Sequence, residues 1–261
     1  MSGGQAIDVN VDMGESFGRW KLGDDAGVMP YISSASIACG FHAGDPRTMR
    51  ETVALALEHD VQIGAHVALP DLLGFGRRRM AISPEDLTDY CTYQIGALAA
   101  FVEAEGGRLR HVKPHGALYA MCSADPSLAE AVARSIAEVD SGLLLLLLRD
   151  DVLRGPARHG IQVVGEAFVD LDYDADGELI IEAVKTARDP DQVAARALRL
   201  VREHKLTKTD GSDFDIDVPT LCLHGDAPNA VDVARTVRRR LDAEGIAVTP
   251  LAELLGVTAA R

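Results

Sequence analysis

A closed parallel α/β barrel is the fold class that this sequence predicts, on three observations. Short apolar runs alternate with longer amphipathic segments along most of the 261 residues. Most of the short runs are nearly continuous in hydrophobicity, as strands covered on both faces are. No Gly/Ser-rich linker, composition shift or internal repeat divides the chain, so about seven strand–helix units fall in one domain, 1–261, and a closed barrel suits that number better than an open sheet.

The elements follow in order. AIDVNV (6–11) and SASIAC (34–39) are the first two strands, and the segment 47–58 that follows has helical periodicity. VQIGAHV (61–67) is the third strand. Ser83 before Pro84 predicts the N-cap of a helix over 84–104, because proline at the first helical position lacks only an N–H that has no partner there anyway. LRHVKP (109–114) is the fourth strand, and Asp125 before Pro126 caps a helix over 126–138. LLLLLL (143–148) is too short to span a bilayer and is stopped abruptly by Arg149, Asp150 and Asp151, which predicts a buried fifth strand. A helix over 151–158, a sixth strand IQVVGEAF (161–168), a helix over 190–204, a seventh strand PTLCLHG (219–225) and a helix over 228–243 complete the pattern. The acidic, irregular stretch 169–186 reads as a long loop.

Composition narrows the function. With 47% hydrophobic and 25% charged residues the chain is of ordinary globular type. A formal net charge of -14 repels phosphate backbones and acidic membranes, so neither nucleic acid nor a membrane is an expected partner. The four cysteines form no CxxC pair, and the N-terminus carries no secretory signal, which predicts reduced thiols and a cytoplasmic location.

Polar residues gather where the strands end. Asn10, Asp12 and Glu15 end or follow the first strand; Cys39, Gly40, His42 and Asp45 follow the second in CGFHAGD. His66 closes the third, Lys113 and His115 the fourth, Glu166 and Asp170 the sixth, His224 and Asp226 the seventh. A lone histidine at a strand end more often satisfies a backbone group than does chemistry. In a parallel barrel, however, all these ends share the face where catalytic groups collect, and the coincidence points to a site. Within KPHGALY (113–119), Lys113 and His115 lie two residues apart, so both side chains can face the same way.

Other motifs are weaker. There is no GxxxxGK[ST] loop, no GxSxG and no HExxH. DYDADG (172–177) resembles the first half of a calcium loop, but Ala183 stands where the bidentate glutamate belongs, with Glu182 one place early; a solvated acidic turn is expected. GFGRRR (74–79), with Arg77, is either an anion-holding loop or a basic surface turn.

These same stretches carry a resemblance. VNVDMGESFG (9–18), SASIACGFHAGD (34–45), IGAHVALPDLLGFGRR (63–78), YQIGAL (93–98), RHVKPHGALY (110–119) and LCLHGD (221–226) are similar, in order, to the LamB/YcsF family, the A subunits of bacterial ATP-dependent 5-oxoprolinases. The resemblance implies a distorted, seven-stranded (β/α) barrel of the glycoside hydrolase/deacetylase type. It implies opening of the 5-oxo-L-proline lactam to L-glutamate, with ATP as co-substrate bound mainly with partner subunits B and C. The chain departs from the family pattern at Val67 after His66, at Ala120, at Leu171 where an arginine is usual, and over LIIEAVKTARDP (179–190). Those departures predict altered specificity or weakened turnover, which Leu171→Arg should raise unless Arg77 or Lys185 supplies the missing cation.

An unstrained amide hydrolyses slowly, so its carbonyl must be activated, as by phosphorylation of the oxygen. Water delivery, a base and oxyanion donors are then needed. The expected catalytic set is Asp12 as base or water-positioning carboxylate, His42, His66 and His115 as proton-transfer groups, and Lys113 as charge neutraliser. Asn10, Glu15, Cys39, Gly40, Asp45, Arg77, Glu166, Asp170, His224 and Asp226 are expected to bind substrate or nucleotide. Two rival readings stay open: a metal-dependent deacetylase or amidohydrolase with Asp12, His42, His66 and His115 as ligands, for which no close HxxxH pair speaks, and a diverged non-catalytic binding subunit.

Overall fold

The computed structural model describes residues 5–148, 159–180, 182 and 184–257. The helix expected over 151–158, the charges at 149–151 and Ala183 lie outside the described residues.

Seven parallel strands close into the barrel that the sequence predicts. They are β1 (Ala6–Met13), β2 (Ser34–Ala38), β3 (Gln62–Val67), β4 (Leu109–Pro114), β5 (Leu144–Leu147), β6 (Val163–Phe168) and, after a short antiparallel hairpin of β7 (Lys205–Thr207) and β8 (Asp213–Asp215), β9 (Thr220–His224). Each of the first six pairs with the next, β6 pairs with β9, and β9 returns to β1 from Asp8 opposite Thr220 to Asp12 opposite His224. A two-residue strand, β10 (Ala247–Val248), extends the lower end of β1.

The connecting helices are short α1 (Asp25–Val28), α2 (Pro46–Glu58), α3 (Pro84–Ala104), α4 (Gly116–Ala124), α5 (Pro126–Asp140), α6 (Pro190–Glu203), α7 (Ala230–Ala243) and α8 (Leu251–Leu254). The two expected proline-led caps form: the Asp86 N–H donates to Ser83 and the Ser127 N–H to Asp125. Helix α4 was not anticipated. Its sequence GALYAMCSA lacks a charged face, because it is pressed between β4 and the rest of the core with Ala117, Leu118, Tyr119 and Cys122 buried. The described residues of 169–186 form a loop as expected, with a bridge between Tyr173 and Leu179.

The strands are less uniformly apolar than a barrel buried on both faces predicts. In β1, Ile7, Val9, Val11 and Met13 join the hydrophobic core, whereas Asp8, Asn10 and Asp12, equally buried, bond to side chains of other strands. With period two, one face meets the helices and the other the lumen. The lumen is therefore polar and must satisfy itself. Asp8 accepts from the hydroxyls of Ser33, Ser34 and Thr220 at 2.6–2.8 Å, and the His111 ring lies 3.0 Å from Ser36 Oγ. Among the described residues a separate apolar cluster, Leu144, Leu146, Val164 and Leu251, forms where β5 and β6 meet α8.

Candidate active site

Parallel pairing brings the C-terminal ends of the strands to one face, and the side chains there converge on a cleft enclosing about 420 Å³, open mouth included. It is lined by Asp12, His66, Lys113, His115, Tyr119, Phe168 and His224 among others.

Lys113 organises the floor. Its ammonium donates to Asp12 Oδ1 at 2.9 Å, Asn10 Oδ1 at 3.1 Å and Cys222 Sγ at 3.0 Å, and lies 3.3 Å from Glu166 Oε2. Asn10 in turn donates to Glu166 Oε2 and to Thr220. Burial opposes charge on both Lys113 and Asp12, yet each stabilises the other. The Lys113 ammonium is held well above its ordinary range by Asp12, Cys222 and Glu166, and Asp12 well below its own by His66 and Lys113. Asp12 is thus a firmly ionised carboxylate and a weak base.

Three histidines form the next layer. His66 Nδ1 faces the Lys113 carbonyl at 3.0 Å, and His115 Nε2 faces the Phe75 carbonyl at 2.8 Å. A carbonyl oxygen only accepts, so both outer nitrogens carry hydrogen. The inner nitrogens, His66 Nε2 and His115 Nδ1, are then 2.9 Å apart and need one proton between them. Burial disfavours charge on His115, and Asp12 Oδ2 lies 3.3 Å from His66 Nε2, so a carboxylate faces the shared proton. His42 stacks on His115 with ring centroids 3.8 Å apart and places Nε2 3.1 Å from Glu15 Oε1. Burial pushes Glu15 up and His42 down, making this a neutral pair. The layer is capped by the 74–79 loop, where only glycine fits at Gly76: its φ is 64°, and a Cβ would lie 2.7 Å from the His115 ring.

The upper wall carries a further oriented histidine. His224 presents Nδ1 to Asp170 Oδ1 at 3.0 Å, and its backbone N–H donates to Asp170 Oδ2 at 2.8 Å. A carboxylate only accepts, so Nδ1 carries the hydrogen of that bond. Burial alone would raise Asp170, but His224 more than offsets it and holds the carboxyl below its usual value. Arg77 also lines the cleft, donating to Asp226 at 2.6 Å.

The structure thus brings together Asn10, Asp12, Glu15, His42, His66, Arg77, Lys113, His115, Glu166, Asp170, His224 and Asp226. It does not bring in three of the expected residues. The Cys39 thiol donates to the Ile37 carbonyl and burial pushes it up to about 12, so it is an inert core group. Gly40 shapes the turn through its N–H to the Ala43 carbonyl. Asp45 caps α2, accepting from Arg47 N and Thr48 N, and also from Gly18 N. Helix capping explains the aspartate without chemistry.

Other expectations sharpen. In the acidic turn, Asp174 Oδ1 accepts from the backbone N–H groups of Asp176 and Glu178, so that carboxylate serves the turn itself. In GFGRRR, Arg78 pairs with Asp71 and Arg77 with Asp226. Leu171 is buried in the cleft wall, and the neighbouring Asp172 is neutralised by Arg188 and Arg196. Lys185 lines the same cleft. Sequence reasoning missed Tyr119, whose buried hydroxyl finds no well-aligned hydrogen-bond partner among the described residues and which burial and Glu166 hold un-ionised, together with Asp8, Phe168 and Thr220. The alternation of IDVNVD was the available signal for Asp8.

Among the described residues two groups could hold a metal ion: Glu15, His42, His66 and His115, and Asp12, Cys222 and His224, each with ligand atoms within 4.8 Å of one another. The first fits better. Its His66 and His115 have their outer nitrogens anchored on backbone carbonyls, as metal-bound histidines usually do. In the second, burial holds the Cys222 thiol protonated.

Comparison with known proteins agrees with this architecture. The model of the LamB/YcsF family matches residues 7–256. The A subunit of the Bacillus subtilis 5-oxoprolinase is 46% identical over 250 residues, covering 95% of this chain and 97% of the relative. The lactam utilization protein of Thermus thermophilus superposes with a TM-score of 0.88 at 43% identity over 95% of this chain and all of that one. A T48 deacetylase, 11% identical, superposes at 0.51 over 99% of this chain and 94% of its own, a likeness of fold alone. With a family model spanning nearly the whole chain and relatives of this identity, the chain belongs to the LamB/YcsF family.

Proposed function

We propose that this chain is the lactam-opening subunit of an ATP-dependent 5-oxoprolinase, converting 5-oxo-L-proline to L-glutamate together with companion subunits. The observation that carries this reading is a small cleft with a proton acceptor and a proton store on its walls: the Asp170–His224 pair and the His66–His115 pair. Once the lactam carbonyl is activated, His224 Nε2 takes a proton from the attacking water while Asp170 steadies the ring. The proton shared by His66 and His115 then passes to the ring nitrogen as its bond to the carbonyl carbon breaks, giving the free amine and, with a phosphoryl group on the activated oxygen, an acyl phosphate that a second water cleaves to glutamate and phosphate. The Tyr119 hydroxyl, which has no well-aligned partner among the described residues, stabilises the oxygen that gains negative charge. Asp12 stays ionised throughout and holds Lys113 and His66 in place. The names of the relatives support both the lactam and the partners.

ATP enters with the companion subunits, because this sequence has no P-loop. Exposed Trp20, Leu72, Leu73 and Val184 sit on loops that follow strands β1, β3 and β6, around the mouth, where a companion would cover them. The deciding experiment is an assay of 5-oxoproline conversion to glutamate with and without ATP and the companions. Turnover only with all components supports the proposal; none under any combination removes it.

A second reading rests on the carbonyl-anchored His66 and His115. Instead of a proton, a divalent ion could lie between them, held also by Glu15 and His42, and would supply Lewis-acid activation of the carbonyl. Metal analysis of the purified chain with cobalt(II) absorption separates the two: tetrahedral Co–histidine bands abolished by His66→Ala favour the ion, and no stoichiometric metal favours the proton.

A further inference from the structure

Lys185 is buried, 8% exposed, and lies in the wall of the cleft on the loop after β6. Of the three cations lining that cleft, Lys113 is saturated by Asn10, Asp12, Cys222 and Glu166, and Arg77 is engaged with Asp226. Lys185 makes no hydrogen bond or ion pair with the described residues, although its charge reaches Asp170. Asp170 is already committed to His224 through both oxygens. Its stem is buried while its ammonium belongs to the lining of the cleft, where a cation with no protein partner is open to pairing with an anion.

The anion has a defined place. The floor, Asp12 with Lys113 and Glu166, is crowded with carboxylates and repels a second negative group. Lys185 instead shares the lining of the cleft with Leu171 and Leu179, apolar residues that suit ring methylenes. We propose that Lys185 is the substrate-carboxylate anchor: its ammonium pairs with the α-carboxylate of 5-oxo-L-proline, turning the lactam carbonyl toward His66, His115 and His224. This inference rests on the lactam-opening reading and assigns to it the group that selects an acidic lactam over a neutral one. It also explains how the site manages with Leu171 in a position that offers no charge.

The test uses the reconstituted enzyme with its companion subunits. KM for 5-oxo-L-proline and the inhibition constant of 5-oxo-L-prolinamide, which keeps the lactam and lacks the carboxylate, are measured for wild type, Lys185→Met and Lys185→Arg. A lost charge-assisted contact should raise KM roughly ten- to a hundred-fold in Lys185→Met. The inhibition constant of the amide should stay within about twofold, and Lys185→Arg should keep KM near wild type. An unchanged KM overturns the proposal. So does an amide inhibition constant that rises in step, which would place Lys185 against a phosphate or in a packing role. Wild-type enzyme inert on 5-oxoproline would overturn the lactam reading itself, and this assignment with it, a result distinct from active enzyme indifferent to Lys185.

Discussion

Asp8 shows how a single residue couples the lumen to pH. It lies below the cleft, and burial pushes its carboxyl up to about 6 even though three hydroxyls donate to it. A folded value above the unfolded one means that ionised Asp8 destabilises the fold above pH 6, and that the penalty is relieved as pH falls toward 3.8. Asp8→Asn should abolish this dependence. Between pH 7.5 and 5, wild type should gain about 1 kcal/mol relative to the variant in urea unfolding; parallel stability curves would show that burial does not raise the Asp8 carboxyl in the fold. The chemistry offers a second residue-scale test. Asparagine in place of Asp170 can donate to His224 Nδ1 and reverse its tautomer, so Asp170→Asn should lower kcat by about 10²- to 10⁴-fold with little change in KM. Retained kcat would exclude His224 as the base.

At the scale of elements, close approaches decide which residues are tolerated. Gly64 on β3 stands beside His111 on β4, and a Cβ there would lie 2.0 Å from His111 Nε2. Gly64→Ala must displace the ring and break its contacts to Ser36 and Gln62, at a cost of about 1–3 kcal/mol. In a His111→Ala background the same change should cost much less, and the double-mutant cycle should show coupling above about 0.5 kcal/mol. Additive effects would mean that the two strands do not meet as described. Helix α2 supplies the complementary case. Asparagine caps as well as aspartate does, so Asp45→Asn should preserve both activity and melting temperature, whereas Asp45→Ala should lose about 1 kcal/mol of stability. A fall in turnover with Asp45→Asn at unchanged stability would return Asp45 to the chemistry. The sequence reads equally well either way here, because a capping aspartate and a catalytic one both sit between a strand and a helix.

For the whole molecule, the polar lumen and the cleft are one connected structure. Asn10 and Thr220 link Asp8 below to Glu166 and Lys113 above, so the floor of the site is held by the barrel's own closure, where β9 meets β1. The chain alone should neither hydrolyse ATP nor open 5-oxoproline at a useful rate, and should do both in the presence of the companions. Robust ATP-coupled turnover by the purified chain would contradict that division of labour. No helix among the described residues is long and apolar enough to cross a membrane.

The sequence by itself determined the seven barrel strands, their order and most helices, because hydrophobic period, proline-led caps and strand length are local properties. It also determined that Asp12, His66, Lys113, His115 and His224 share a face, since parallel strands send all their C-terminal ends the same way. Tertiary structure alone decided what each residue does there. The 2.9 Å approach of His66 to His115, the carbonyls of Lys113 and Phe75 that fix their protons, and the pairing of Asp170 with His224 join residues 40 to 54 positions apart. Cys39 and Asp45 were drawn into the core and a cap for the same reason that Tyr119 and Lys185 emerged in the cleft. Which way a side chain turns at the end of a strand is set by the neighbours it packs against, and those come from distant parts of the chain.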